Sequence, residues 1–202
     1  MLYMTQSSRN LGALIGARIC HDLISPVGAI ANGLELMELA GVPDGPEMAL
    51  VVGSAAHANA RLQFFRVAFG LSSDAQSLSE REMRGIVSDV YTARIACDWA
   101  VNGPLPRRMA QAAFLAILCG EQAAPFGGTL QVTGGEDGLR LSVIGERLDP
   151  KPAHWARLTR PEAGDLDDLP AAQVQFALLP TVLAEMGRWA ETSLVRPVTL
   201  SF

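Results

Sequence analysis

Apolar residues recur along the first forty positions at steps of three and four. Ile15, Ile19, Leu23, Val27, Ile30, Leu34 and Met37 share one face of a helix that should run to about Leu39. Ser7 or Ser8 can cap its start. Gly41-Val-Pro-Asp-Gly-Pro46 is dense in breakers and predicts a tight loop, so the next helix returns antiparallel. That second helix spans roughly residues 46–70, with Pro46 in its first turn and Val51, Ala55, Ala58, Leu62, Phe65 and Phe69 on its apolar face. Gly53, Ser54, Ala56 and Ala60 permit close helix approach. A lone hairpin of this kind leaves apolar surface uncovered. Two copies packed together make a four-helix bundle, so a homodimer is expected.

Past the linker-like residues 71–77 the pattern changes. Ser79 to Ala93 reads as a helix opened by a Ser79/Glu82 capping box. Ile95 to Val101 reads as a strand closed by Asn102-Gly-Pro, and Pro106 to Gln122 as a long, largely buried helix. Gly127-Gly128 leads into a strand over 129–133, and Gly134-Gly-Glu-Asp-Gly138 turns it into a second over 139–144. Residues 146–170 form a loop with one helical turn near His154 and Trp155. A helix from Val174 to Gly187, interrupted or bent by Pro180, and two strands, about 189–195 and 198–202, close the chain. The expectation is an α+β protein: a helical hairpin in residues 1–75, then residues 76–202 interleaving helices with a mostly antiparallel sheet.

Composition narrows the function. At 202 residues and 49% hydrophobic content the chain can build a substantial core. Net charge is −5, split −2 and −3 between the two segments, and no basic patch appears, which argues against nucleic-acid binding. The apolar stretch from Leu11 to Met37 holds Arg18, His21, Asp22 and Glu35, so it does not span a membrane. The N-terminus lacks the layout of a signal peptide. Cys20, Cys97 and Cys119 are odd in number and widely spaced, which suits reduced thiols in a cytoplasmic protein. No Cys or His pair has ligand spacing, so no metal is expected.

His21 is the candidate chemical group. It lies two residues past Ile19, about 200° around the helix, and so points away from the apolar face. Asp22 follows it. Pro26 lacks an N–H for the carbonyl of Asp22 and should bend the helix just past the histidine. Arg18 and Ser25 lie one turn from His21. His57, in an alanine-rich stretch with no flanking acid, reads as structural or solvated. Arg61, Gln63 and Arg66 read as a polar face rather than a phosphate clamp, a role that stays open for Arg61 alone.

His21, Asp22, Leu23, Ser25, Pro26, Val27 and Ile30 together resemble the H-box of histidine kinases, which carries a phosphoacceptor histidine on the first helix of a dimerising hairpin. The order of elements after residue 76 resembles the α/β sandwich of the kinase ATPase domain. The ATP chemistry is missing from it. Cys119 stands where the resemblance puts the Mg²⁺-binding Asn, and a thiol is no hard oxygen ligand. Gly145-Glu-Arg-Leu-Asp149 holds no D-x-G-x-G, and Pro170-Ala-Ala-Gln-Val-Gln-Phe-Ala-Leu-Leu179 replaces the glycine-rich lid. No Walker-type loop occurs elsewhere.

This combination, with Arg61-Leu-Gln-Phe-Phe-Arg-Val-Ala-Phe-Gly70, resembles ChpT-type histidine phosphotransferases of alphaproteobacterial phosphorelays, over essentially the whole chain. The resemblance implies a dimeric four-helix bundle followed by a degenerate, non-ATP-binding kinase-like domain. It implies phosphoryl transfer from the receiver of a hybrid kinase to His21 and on to response-regulator receivers, without kinase or ATPase activity. Asp22 would orient the imidazole or take its proton. Leu14, Ala17, Arg18, Ile24, Ser25 and Gly28 would form the docking face. No cofactor would be bound by this chain, since the receiver brings Mg²⁺. The rival readings are an ATP-dependent sensor kinase core, a metal phosphohydrolase suggested by His21-Asp22, and a receiver- or kinase-binding module that transfers nothing.

Overall fold

The computed structural model describes residues 6–40, 45–70, 76–92, 94–160 and 169–202; within the first helix the side chains at 6–14, 17, 20, 21, 24, 38 and 40 lie outside the described residues. Helix α1 is Gln6–Ala40 and continues through Pro26. Helix α2 is Pro46–Ala68, with proline in its first turn and Glu47 near its N-terminus, where a carboxylate complements the exposed N–H groups. The two pack along each other: Gly33 of α1 has no room for a side chain because Val51 of α2 lies against it.

The expected elements follow in order, joined by two short strands that pair with each other, 77–78 and 105–106, and a 3₁₀ turn, which the sequence pattern does not announce. They are β1 (Ser77–Leu78), α3 (Glu80–Val90), β2 (Ile95–Val101), β3 (Leu105–Pro106), α4 (Arg107–Ala123), β4 (Gly128–Gly135), β5 (Gly138–Ile144), α5 (Pro152–Thr159), a 3₁₀ turn (Ala171–Gln173), α6 (Gln175–Glu185), β6 (Glu191–Ser193) and β7 (Val198–Ser201). The capping box forms: the Ser79 hydroxyl accepts from the Glu82 amide, and the Glu82 carboxylate accepts from the Ser79 amide.

Five strands make one sheet in the order β2-β4-β5-β7-β6. Only β2 and β4 are parallel, joined by the crossover through α4; the other three pairings are antiparallel. Along β5, Leu139, Leu141 and Val143 are buried while Arg140 and Ile144 are exposed, the alternation of a sheet covered on one face. Helix α4 covers that face. Gly120 lets it approach: a Cβ there would stand 2.8 Å from a Leu141 methyl, 3.1 Å from Leu130 and 3.2 Å from Val143.

Two expectations change. The 146–170 region carries a full eight-residue helix, α5, rather than one turn, because Trp155 and Leu158 are buried against the core. Residues 161–168 of that region lie outside the described residues. The face of α2 also differs. Ala60, Phe64, Phe65, Val67 and Ala68 are buried, whereas Leu62 is 48% exposed. The C-terminal end of α2 is enclosed by α1 on one side and by α3 and α4 on another, so its burial is wider than one stripe. Phe64 stacks near Tyr91 and Phe114 at centroid distances of 5.9 and 4.7 Å. One hydrophobic core thus runs from Ala60 through Leu200, across the linker that separates the two sequence segments.

Candidate functional site

Position 21 sits in the middle of α1, and the geometry around it is set by its helical neighbours. Residues 18, 22, 25 and 29 fall on one strip of the helix, and position 21 lies about 60–100° to the side of Arg18 and Asp22. The side chains of His21, Leu14, Ala17 and Ile24 lie outside the described residues. Those of Arg18, Asp22 and Ser25 are described, as is Gly28.

Ser25 and Gly28 are exposed, and a Cβ built on Gly28 would meet nothing within 4 Å. This stretch of α1 is therefore open to an approaching surface. Arg18 is different: it was expected on the docking face, and it is only 5% exposed. Its Nε donates to Asp22 Oδ2 at 3.0 Å, its Nη2 stands 3.0 Å from the same oxygen, and its Nη1 donates to the Ala172 carbonyl at 2.7 Å. Arg18 faces the second half of the chain and joins α1 to the 3₁₀ turn. Asp22, beside the candidate histidine, is engaged by that guanidinium.

A second arginine, on α2, makes a parallel connection. Arg61 Nη2 lies 3.3 Å from Glu121 Oε1, and Tyr91 donates its hydroxyl to Glu121 Oε2 at 2.8 Å. The Arg61 guanidinium also stands over the Tyr91 ring. Burial works against the Arg61 charge, but the nearby Glu121, Tyr91 and Asp22 outweigh it and raise its pKa. Between these two arginines lies a cleft of about 440 Å³, lined by Arg18, Asp22, Ser25, His57, Arg61 and Glu121 among others. His57 is exposed on its rim.

The sequence pattern puts Arg61 on a polar face, with a phosphate clamp as the alternative; in the structure it meets a carboxylate. Nothing local could have linked it to Glu121, sixty positions away. A backbone carbonyl such as that of Ala172 leaves no mark in a sequence at all.

Of the positions that the resemblance assigns to nucleotide chemistry, Cys119 and part of the lid segment are packed, while Glu146 and Arg147 are exposed. Cys119 is fully buried in α4, and burial pushes its thiol pKa well up, so it is a neutral, inward-facing group. The segment in place of a lid is the 3₁₀ turn and the start of α6, with Val174, Phe176 and Leu179 fully buried. The amide of Asp149 is held by the Ala123 carbonyl at 2.8 Å, and Arg147 stacks over the Phe126 ring at 4.0 Å. Among the described residues, no group of three or more His, Cys, Asp or Glu side chains could hold a metal ion. No described helix is long and apolar enough to cross a membrane.

The model of the histidine phosphotransferase C-terminal domain matches residues 80–193, more than half of the chain. The chain belongs to the histidine phosphotransferase family. Within it, the protein phosphotransferase ChpT of Brucella abortus (strain 2308) is 42% identical over 134 residues, which cover 65% of this chain and 64% of that relative. The match thus spans just under two thirds of the relative's own length. A bacterial phosphotransferase of known structure superimposes with a TM-score of 0.82 at 32% identity, over 100% of this chain and 99% of the other. That agreement includes α1 and α2, which the family model does not cover.

Proposed function

We propose that this chain carries phosphoryl groups between receiver domains of a bacterial phosphorelay, with His21 as the acceptor. The observation that carries the reading is the exposed, unobstructed strip of α1 at Ser25 and Gly28, one turn and two turns past His21, on a chain whose second half is a histidine phosphotransferase domain. A docked receiver would rest on this strip, with Leu14, Ala17 and Ile24 completing the contact and its own helix lying alongside α1.

The chemistry needs little from the protein. An unprotonated ring nitrogen of His21 attacks the phosphorus of the receiver's aspartyl phosphate. A nitrogen–phosphorus bond forms, the acyl oxygen–phosphorus bond breaks, and the aspartate leaves as its carboxylate. The other ring nitrogen keeps its proton, and Asp22 stabilises the positive charge that the ring acquires. Transfer to the next receiver reverses each step. In-line placement and charge neutralisation dominate such a reaction, and the receiver supplies the Mg²⁺. The chain itself needs no ATP in this scheme, in keeping with the packed Cys119 and the helical segment in place of a lid.

A homodimer completes the proposal. Val27, Leu34 and Leu36 on α1 and Leu50 and Val52 on α2 are all about half exposed in the single chain. Isolated apolar residues need no explanation, but this many along two packed helices suit a four-helix bundle with a second copy. The donor would be a hybrid kinase receiver and the acceptors response-regulator receivers, which places the protein in the cytoplasm.

The test is a reconstituted relay. A receiver domain carrying labelled phosphate is mixed with the full chain, which should acquire acid-labile, base-stable label. His21→Ala should abolish labelling and leave the circular dichroism spectrum unchanged. Label on the His21→Ala protein would sink the assignment, and labelling from ATP alone would replace it with a kinase.

A further inference from the structure

Arg18 links the acid that follows His21 to the second half of the chain. Its guanidinium is buried, and all three nitrogens are committed: Nε and Nη2 to Asp22 Oδ2, Nη1 to the Ala172 carbonyl. That carbonyl is itself fixed, accepting from Gln175 Nε2 at 3.1 Å and from Gln122 Nε2 at 3.5 Å. A guanidinium is a rigid planar fork, so holding one edge on a fixed carbonyl sets the direction of the other. The carboxylate next to the acceptor histidine is therefore aimed from a point 150 residues further along the chain.

We propose that Arg18 is a positioning residue for phosphoryl transfer: anchored on the Ala172 carbonyl of the kinase-like half, it fixes the Asp22 carboxylate beside His21 and balances its charge. The inference rests on the reading of His21 as the phosphoacceptor. It also gives the second half of the chain a task in the reaction. With the guanidinium in place, the site keeps an acceptor for the ring N–H without a net negative charge facing the incoming phosphoryl group. A direct contact between Arg18 and the phosphate is disfavoured, since each of its three nitrogens already has a partner and the side chain is only 5% exposed.

Single-turnover transfer from a labelled, phosphorylated receiver domain to the full chain tests this. Arg18→Gln should lower the rate at saturating receiver by about tenfold or more, the usual cost of losing an orienting partner. The receiver concentration at half-saturation should not move, because the Arg18 side chain is only 5% exposed and turns to Asp22 and Ala172, leaving a docked receiver almost none of its surface to touch. Arg18→Lys, which keeps the charge but reaches only one partner at a time, should recover part of the rate. In an Asp22→Asn background, Arg18→Gln should cost little more, since both changes remove one shared interaction.

A wild-type rate in Arg18→Gln would overturn the proposal. So would the same loss in the Asp22→Asn background, or a raised half-saturation with the saturated rate intact. If Arg18→Gln does not fold, Arg18→Lys carries the comparison: a slowed rate at unchanged half-saturation supports the proposal, and a wild-type rate overturns it. His21→Ala run in parallel separates the two readings. Label on His21→Ala defeats the acceptor assignment, whereas an inactive His21→Ala beside a normal Arg18→Gln defeats only the role of Arg18.

Discussion

Arg61 on α2 and Glu121 on α4 meet at 3.3 Å with both side chains mostly buried, 16% and 20% exposed, and Tyr91 holds the second carboxylate oxygen. This pair pins α2 to α4 on the opposite side of the cleft from Arg18. Replacing Glu121 with Ala strands a buried guanidinium and a phenol. The expected loss is roughly 2–3 kcal/mol, below the range for fully enclosed pairs because some water reaches both groups. Tyr91→Phe removes one charge-assisted hydrogen bond and should cost about 1.5 kcal/mol. Urea denaturation of the variants measures both, and the ordering Glu121→Ala above Tyr91→Phe is the firm expectation.

Stability should decline on the alkaline side, and two thiols set the onset. Burial, assisted by the nearby Asp98 carboxylate, pushes Cys97 up to about 12, and burial raises Cys119 as well. An unfolded thiol titrates near 8.5, so above about that pH the unfolded chain releases protons that the folded chain retains. The unfolded state then binds fewer protons, the slope of unfolding free energy against pH is negative, and stability falls as pH rises from about 8.5 toward 12. Tyr91, raised by burial and by the Glu121 charge, adds to the fall from about pH 10. Urea midpoints measured across this window should drop steadily, and Cys97→Ala should drop less steeply than the parent. A flat profile in the parent would contradict the burial of these groups.

The proposed dimer can be separated from the fold. Leu34 and Leu50 are 53% and 48% exposed in the single chain, so a charge at either should change monomer stability by about 0.5 kcal/mol or less. Leu34→Glu combined with Leu50→Glu should halve the mass measured by light scattering, with the circular dichroism spectrum retained. A parent that is monomeric at tens of micromolar, or a charged variant that stays dimeric, would dispose of the bundle.

Much of this protein was legible in one dimension. The three-and-four spacing of α1, Pro46 at the start of α2, the Ser79/Glu82 cap and the Gly-rich turn between β4 and β5 are local signals, and the elements formed where those signals lay, while residues 41–44 of the expected tight loop lie outside the described residues. Local signals fail where burial depends on distant partners. Leu62 fits the apolar stripe of α2 and is exposed, while Phe64, off that stripe, is fully buried against Tyr91 and Phe114. Trp155 and Leu158 found a core to enter and so extended an expected single helical turn into the eight residues of α5.

The sequence by itself determined the element order, the candidate histidine with its neighbouring acid, and the likeness to phosphotransferases, because each resides in residues close together along the chain. Only the tertiary structure decided where the arginines of the two helices find their partners. Arg18 turned inward to a carbonyl at position 172, and Arg61 met a carboxylate on α4. Those contacts join groups 154 and 60 positions apart. They exist because a charged side chain leaves water only where folding brings it a partner, and no short stretch of sequence contains that partner.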